Sequence, residues 1–275
     1  MKNLKLFVVV LGLLVLIFVS CGEKAPISKE QLKLKFEERL AYRSEIIKDY
    51  TCELITSRLS DSPRGEMESE MKFAFYKKMP DKTKSEFIEG KRNGEKISKD
   101  DFQNFARRRP GQGREGQDRR PERRQGGDES RRGMGRRMFG GTELPFDLLK
   151  HFQGLKVVGS ETVENIETYK INVKIKDKKD RLEKAVIWLD KSTFDIVKFE
   201  GSYRKGERID SGELVKIYSP VGPEGAWMLV EQRNDTYMVF DTPMGEFEME
   251  SLSTSKYSNY LFNQDLSDEL FAEEK

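Results

Sequence analysis

The sequence predicts an α+β domain made mostly of antiparallel β-structure. Three observations carry this expectation. One amphipathic helix stands near the start, apolar and polar residues alternate with period two in many later segments, and turn signals recur at intervals of roughly 8–12 residues. No glycine-rich phosphate loop, heptad run or helical repeat competes with that reading.

The first twenty residues carry Lys2 and Lys5, then an apolar run from Leu6 to Val19. A basic start, a short apolar core and a small residue at the end describe a secretory signal. The run is 14 residues long, shorter than the ~20 apolar residues of a spanning helix, which argues against an uncleaved membrane anchor. Val19-Ser20-Cys21-Gly22 resembles the lipobox of bacterial lipoproteins, with Phe18 where leucine is commonest. The resemblance implies cleavage between Ser20 and Cys21, acylation of Cys21, and a lipidated tether over 21–27. Several acyl chains anchor stably where one is marginal, so the body needs no membrane-binding surface. By resemblance to enterobacterial sorting signals, Gly22 in place of aspartate implies an outer-membrane location facing the periplasm.

Beyond the signal, 255 residues suffice for one large domain, and 28–275 is read as one. Cys52 is the only cysteine beyond Cys21, which excludes an internal disulfide; a small buried strand residue is its simplest role. The chain is 36% charged yet carries a net charge of only +2. That balance hides an asymmetry: residues 107–137 hold twelve arginines against five acids, so the body is acidic. Residues 106–141 have too little apolar content to offset the entropy of ordering and are expected to be a disordered insert. A solvated insertion is the plainest account, and arginine pairing with anionic lipid headgroups is the functional one. The insert lacks interleaved aromatics for base stacking, which argues against nucleic acid.

Taking the elements in order, Ser28 and Gln31 form a capping box before Leu32, Phe36, Leu40, Ile47 and Tyr50, which recur at helical spacing. One helix of about 20 residues is expected there. Tyr50, Cys52, Leu54 and Thr56 then alternate as a strand. After a turn at 61–65, Met67, Ser69, Met71, Phe73 and Phe75 form one strand face, against Glu66, Glu68, Glu70, Lys72 and Tyr76. Glu86 to Glu89 follows, with Asn93-Gly94 as a hairpin turn. Beyond the insert, Pro145 to Phe152 reads as a short central helix. Strands then follow around Val157, Tyr169–Ile175, Ala185–Asp190, Ile196–Phe199, Glu213–Tyr218, Trp227–Gln232, Tyr237–Phe240 and Glu246–Met249.

Four segments in this order resemble the LolA/LolB-type lipoprotein-carrier superfamily. They are Phe75-Tyr76-Lys77-Lys78-Met79-Pro80-Asp81-Lys82; the stretch from Val158 to Ile171, with Asn165 where glycine is usual; Val186-Ile187-Trp188-Leu189-Asp190 followed by Ile196-Val197; and the tail Asn263 to Phe271. The resemblance covers roughly 28–105 and 145–271. It implies an incomplete (half) β-barrel of about 10–11 strands, closed by the N-terminal helix and the short central helix around an apolar cavity. Binding of a lipid or acylated lipoprotein, as carrier, acceptor or sensor, is the implied activity. The residues expected to line such a cavity are Leu32, Phe36, Leu40, Met71, Phe73, Phe75 and Trp188. Large apolar side chains suit acyl chains, and the methionine thioethers among them repack easily around varied shapes.

Nothing in the sequence points to catalysis. His151 is the only histidine, which leaves no Ser-His or Cys-His pair and no zinc-ligand spacing. Asp100-Asp101 and Glu248 with Glu250 are paired acids in ordinary solvated contexts. No cofactor or metal is expected. The alternative to a lipid-binding module is a structural or interaction lipoprotein of the cell envelope, with the same scaffold and a filled core.

Overall fold

The computed structural model describes residues 27–63, 65–107, 154–175, 180–206, 209–242 and 245–272. The signal, the cleavage site at Ser20 and Cys21, the tether up to residue 26, residues 108–141 of the insert, the helix expected at 145–152 and His151 lie outside the described residues.

The chain begins with helix α1 (Lys29–Ile46). The capping box forms as expected: Gln31 N donates to Ser28 Oγ (3.2 Å), and Ser28 N donates to the Gln31 side chain (3.3 Å). The helix is shorter than the apolar spacing suggested. Ile47 is its C-cap, and Tyr50 already belongs to a strand. Tyr50 is 2% exposed, and its ring lies 5.6–6.3 Å from those of Phe75, Tyr260 and Phe262. Its burial comes from the sheet, and no helical stripe was needed to produce it.

Among the described residues eleven strands make one open antiparallel sheet: β1 (Asp49–Asp61), β2 (Met67–Lys78), β3 (Lys82–Arg92), β4 (Glu95–Ile97), β5 (Leu155–Val163), β6 (Ile166–Lys174), β7 (Leu182–Asp190), β8 (Ile196–Tyr203), β9 (Ile209–Ser219), β10 (Met228–Thr242) and β11 (Gly245–Phe262). The order is β4-β3-β2-β1-β11-β10-β9-β8-β7-β6-β5. Every neighbour is next in sequence except β1 and β11, which pair from Tyr50↔Phe262 to Asp61↔Glu250 and join two meanders. A second helix, α2 (Lys99–Arg107), follows β4. Ala106 and Arg107, expected to open the disordered insert, are the last two residues of this helix.

One sheet face holds the core. Cys52 and Leu54 on β1, Phe73 and Phe75 on β2, Ile171 and Val173 on β6, Ile187 and Leu189 on β7, and Val197 and Phe199 on β8 are all at most 5% exposed. Leu32 and Phe36 of α1 belong to the same cluster. Neither described helix is long and apolar enough to cross a membrane.

Several motif positions have a local physical reason. Glu164 and Asn165 both take positive φ (50° and 68°) in the β5–β6 turn, so asparagine fits where glycine is usual. Asn93 and Gly94 do the same in the β3–β4 turn (49° and 82°). Asn263 ties the tail to the α1–β1 junction: its Oδ1 accepts from Lys48 N and its Nδ2 donates to Ile46 O, both at 2.9 Å. The buried Asp49 carboxylate accepts from Gln264 N (2.7 Å) and Leu266 N (3.2 Å). The peptide bond between Met79 and Pro80 is cis.

Candidate functional site

Helix α1 lies on the core face of the sheet through the residues at 32, 36, 39 and 43. Leu32 and Phe36 are 1% and 6% exposed. One turn on, Arg39 Nε donates to Asp195 Oδ2 at 2.8 Å, and Nη2 approaches the same oxygen at 2.6 Å. Burial alone would lower the Arg39 pKa, but the hydrogen bond and charge of Asp195 outweigh it and raise it. Tyr42 donates to Glu224, which raises the phenol pKa, and Arg43 Nη2 reaches the Met228 sulfur at 3.4 Å.

Leu40 departs from the expected lining: it is 42% exposed. Each step of four residues overshoots a 3.6-residue turn by about 40°, so by Leu40 the 32–36–40 row has rotated off the sheet. Arg39 takes the inward position.

Trp188 departs in a different way. It is buried, yet on the face opposite the core, because Ile187 and Leu189 on either side point inward. Its cross-strand neighbours Lys170 and Lys198 place their ammonium groups 5.2 and 5.0 Å from the indole. Glu161 accepts from its Nε1 at 3.1 Å and from Lys170 at 2.8 Å. The Lys170 and Trp188 hydrogen bonds hold the Glu161 carboxyl below its usual range. Trp188 is thus enclosed by charged side chains and does not line an apolar cavity.

Phe73 and Phe75 are close-packed, at 2% and 1% exposed. Phe73 opens one cluster: its ring is 5.8 Å from Phe87 and 5.6 Å from Phe102, and Phe87 stacks on Phe102 at 4.5 Å. Phe102 comes from α2, the element the sequence reading overlooked. Its signal was present in Ser98-Lys99-Asp100-Asp101: Asp101 N donates to Ser98 Oγ (3.0 Å), and Ser98 Oγ donates to Asp101 (2.6 Å). Beside this cluster, at the β4 edge of the sheet, lies a concavity of about 360 Å³. Met71, Ile97 and Phe102 supply its apolar wall, and Arg92, Asn93, Glu95, Lys96 and Asp101 its polar rim. Of the seven residues expected to line a cavity, only Met71 lines this one.

Elsewhere, Cys52 is 5% exposed, and burial pushes its thiol pKa up to about 12, which makes it a poor nucleophile. Asp101 serves its helix cap, and Glu248 accepts from Tyr237, pushing that phenol up to about 12. Among the described residues no three His, Cys, Asp or Glu side chains converge as a metal site.

The chain matches no protein-family model and no curated protein. Solved structures that it resembles include a candidate outer membrane lipoprotein-sorting protein domain from Vibrio parahaemolyticus (14% identity, 89% of this chain and 97% of that one, TM-score 0.44). Others are a DUF1329 family protein from Desulfovibrio piger (11%, 88% and 97%, 0.40) and a LolA superfamily protein from Nitrosomonas europaea (12%, 86% and 97%, 0.38). Two of these three carry a lipoprotein-sorting or LolA-superfamily description. The likeness is loose and says nothing of this chain's ligand.

Proposed function

We propose that this chain is a lipoprotein of the bacterial cell envelope, anchored through acylated Cys21 at the outer membrane and facing the periplasm. Its body is a half-barrel that holds an acyl chain of a lipid or acylated protein, and its role is binding rather than catalysis. The observation that carries this reading is the concavity beside α2. At about 360 Å³ it falls within the ~300–1,000 Å³ of ordinary ligand pockets. An apolar wall suits the chain, and a polar rim suits its head.

A second reading has its own support. Leu32, Phe36, Phe73 and Phe75 are buried in one apolar cluster, which supports a filled core, as in a structural or interaction lipoprotein. Titration of the full-length protein in mild detergent with a fluorescent fatty acid separates the two. Saturable binding that weakens at least tenfold in Phe102→Asp, with the circular dichroism unchanged, supports acyl binding. An absence of saturable binding leaves the structural reading. The anchor is tested separately: Cys21→Ala should lose the acyl mass and detergent-phase partitioning of the wild type.

A further inference from the structure

The face of the sheet opposite the core carries a second hollow, over β5–β9, of about 680 Å³. Its charged lining is lysine-rich at one end, with one acid among the lysines, and acidic at the other. Lys156, Lys174 and Lys184 come from β5, β6 and β7, Glu183 from the bulge beside Lys184, and Glu200 and Glu213 from β8 and β9. Lys174 and Lys184 are directly opposed across β6 and β7. Like charges in that position destabilise a sheet. Among the described residues no carboxylate lies within ion-pair distance of these three lysines, whereas Glu200 is occupied by Lys198 at 2.7 Å. Among the described residues the opposed lysine pair at one end of the hollow and Glu213 at the other have no ion-pair partner, an arrangement that an anion linked to a cation would complete.

We propose that this groove binds a phosphate-linked amine of the phosphoethanolamine class, with the phosphate at Lys156, Lys174 and Lys184 and the ammonium at Glu213. The spacing suits it. Lys184 and Glu213 sit in one cross-strand row through Ser202, two strand steps or roughly 10 Å apart at the backbone. Lysine and glutamate side chains leaning toward each other leave room for a phosphate, two carbons and an amine. Lysine serves phosphate as a point charge and needs no planar match. The site is separate from the apolar concavity beside α2, so either can fail without the other.

The test is calorimetric titration of the full-length protein in detergent with glycerophosphoethanolamine and with inorganic phosphate. Flotation with phosphatidylethanolamine and phosphatidylglycerol vesicles runs alongside. Glycerophosphoethanolamine should bind saturably and at least tenfold tighter than phosphate. K174Q/K184Q should weaken it tenfold or more while leaving the thermal midpoint equal or higher, since the opposed charges are gone. E213Q should abolish the preference for the amine. Binding of both soluble headgroup and phosphatidylethanolamine vesicles supports a site open to free and lipid-borne forms; binding of these vesicles alone assigns it to the lipid surface. Equal affinity for inorganic phosphate, tighter binding to phosphatidylglycerol, or affinity unchanged in K174Q/K184Q would overturn the proposal.

Discussion

Removing Asp195 should loosen α1 from the sheet. The Asp195 side chain is 3% exposed and Arg39 17%, and the carboxylate meets the guanidinium at 2.6 and 2.8 Å. Asp195→Ala leaves a cation largely without water and without its partner. Breaking a buried pair in this way costs about 3–5 kcal/mol, and the residual exposure of Arg39 puts this case near about 3. For a body of this size a midpoint moves ~2–4 °C per kcal/mol, so a fall of about 6–12 °C is expected. Urea unfolding gives the free energy, and hydrogen exchange should localise the loss to residues 29–46. Arg39→Met with Asp195→Leu should recover most of it, because no uncompensated charge remains. A cost below about 1 kcal/mol, the range of solvated surface pairs, would refute the view that this pair latches the helix.

Three further outcomes are expected. Phe73→Ala should cost about 3–5 kcal/mol in urea unfolding, and half-buried Phe102→Ala clearly less; equal costs would place Phe102 in the core rather than at a pocket wall. The Asp268 carboxyl is held down to about 2 by hydrogen bonds from Lys78 and then Lys82. Its contribution is therefore complete above about pH 4 and lost as pH falls toward 2, so acid should raise amide exchange at residues 263–272 in wild type and change Asp268→Asn little over that window. Replacing 108–141 by a short glycine–serine linker should leave the thermal midpoint within a few degrees, and a loss above about 2 kcal/mol would show that the segment packs on the body.

Strands were legible because one face of the sheet is buried and the other solvated, so Met67 to Phe75 and Tyr169 to Ile175 alternate in the letters themselves. The helix end was less so: Ile47 and Tyr50 fit a helical stripe by spacing, although β-pairing buries Tyr50. Trp188 misled because a buried aromatic reads the same on either face, and only the inward Ile187 and Leu189 decide its direction. Helix α2 went unread because its two phenylalanines sit in nine residues adjoining an arginine-rich stretch, where composition outweighed the cap at Ser98. Ion pairs such as Arg39–Asp195 join residues 156 positions apart, beyond what any local pattern encodes.

The pairing of β1 with β11 puts both ends of the folded body side by side in the middle of the sheet, while the middle of the chain links its two outermost parts. Residues 28–107 and 154–272 are each a continuous meander, joined edgewise along twelve or so residues of β1. Lengthening the connection between them costs little, since each doubling of a flexible loop adds only about 0.6 kcal/mol of closure entropy. Such a chain can therefore accept a long foreign stretch at its centre without altering the register of any strand. Its two halves are, in effect, separable pieces that recognise each other through one seam.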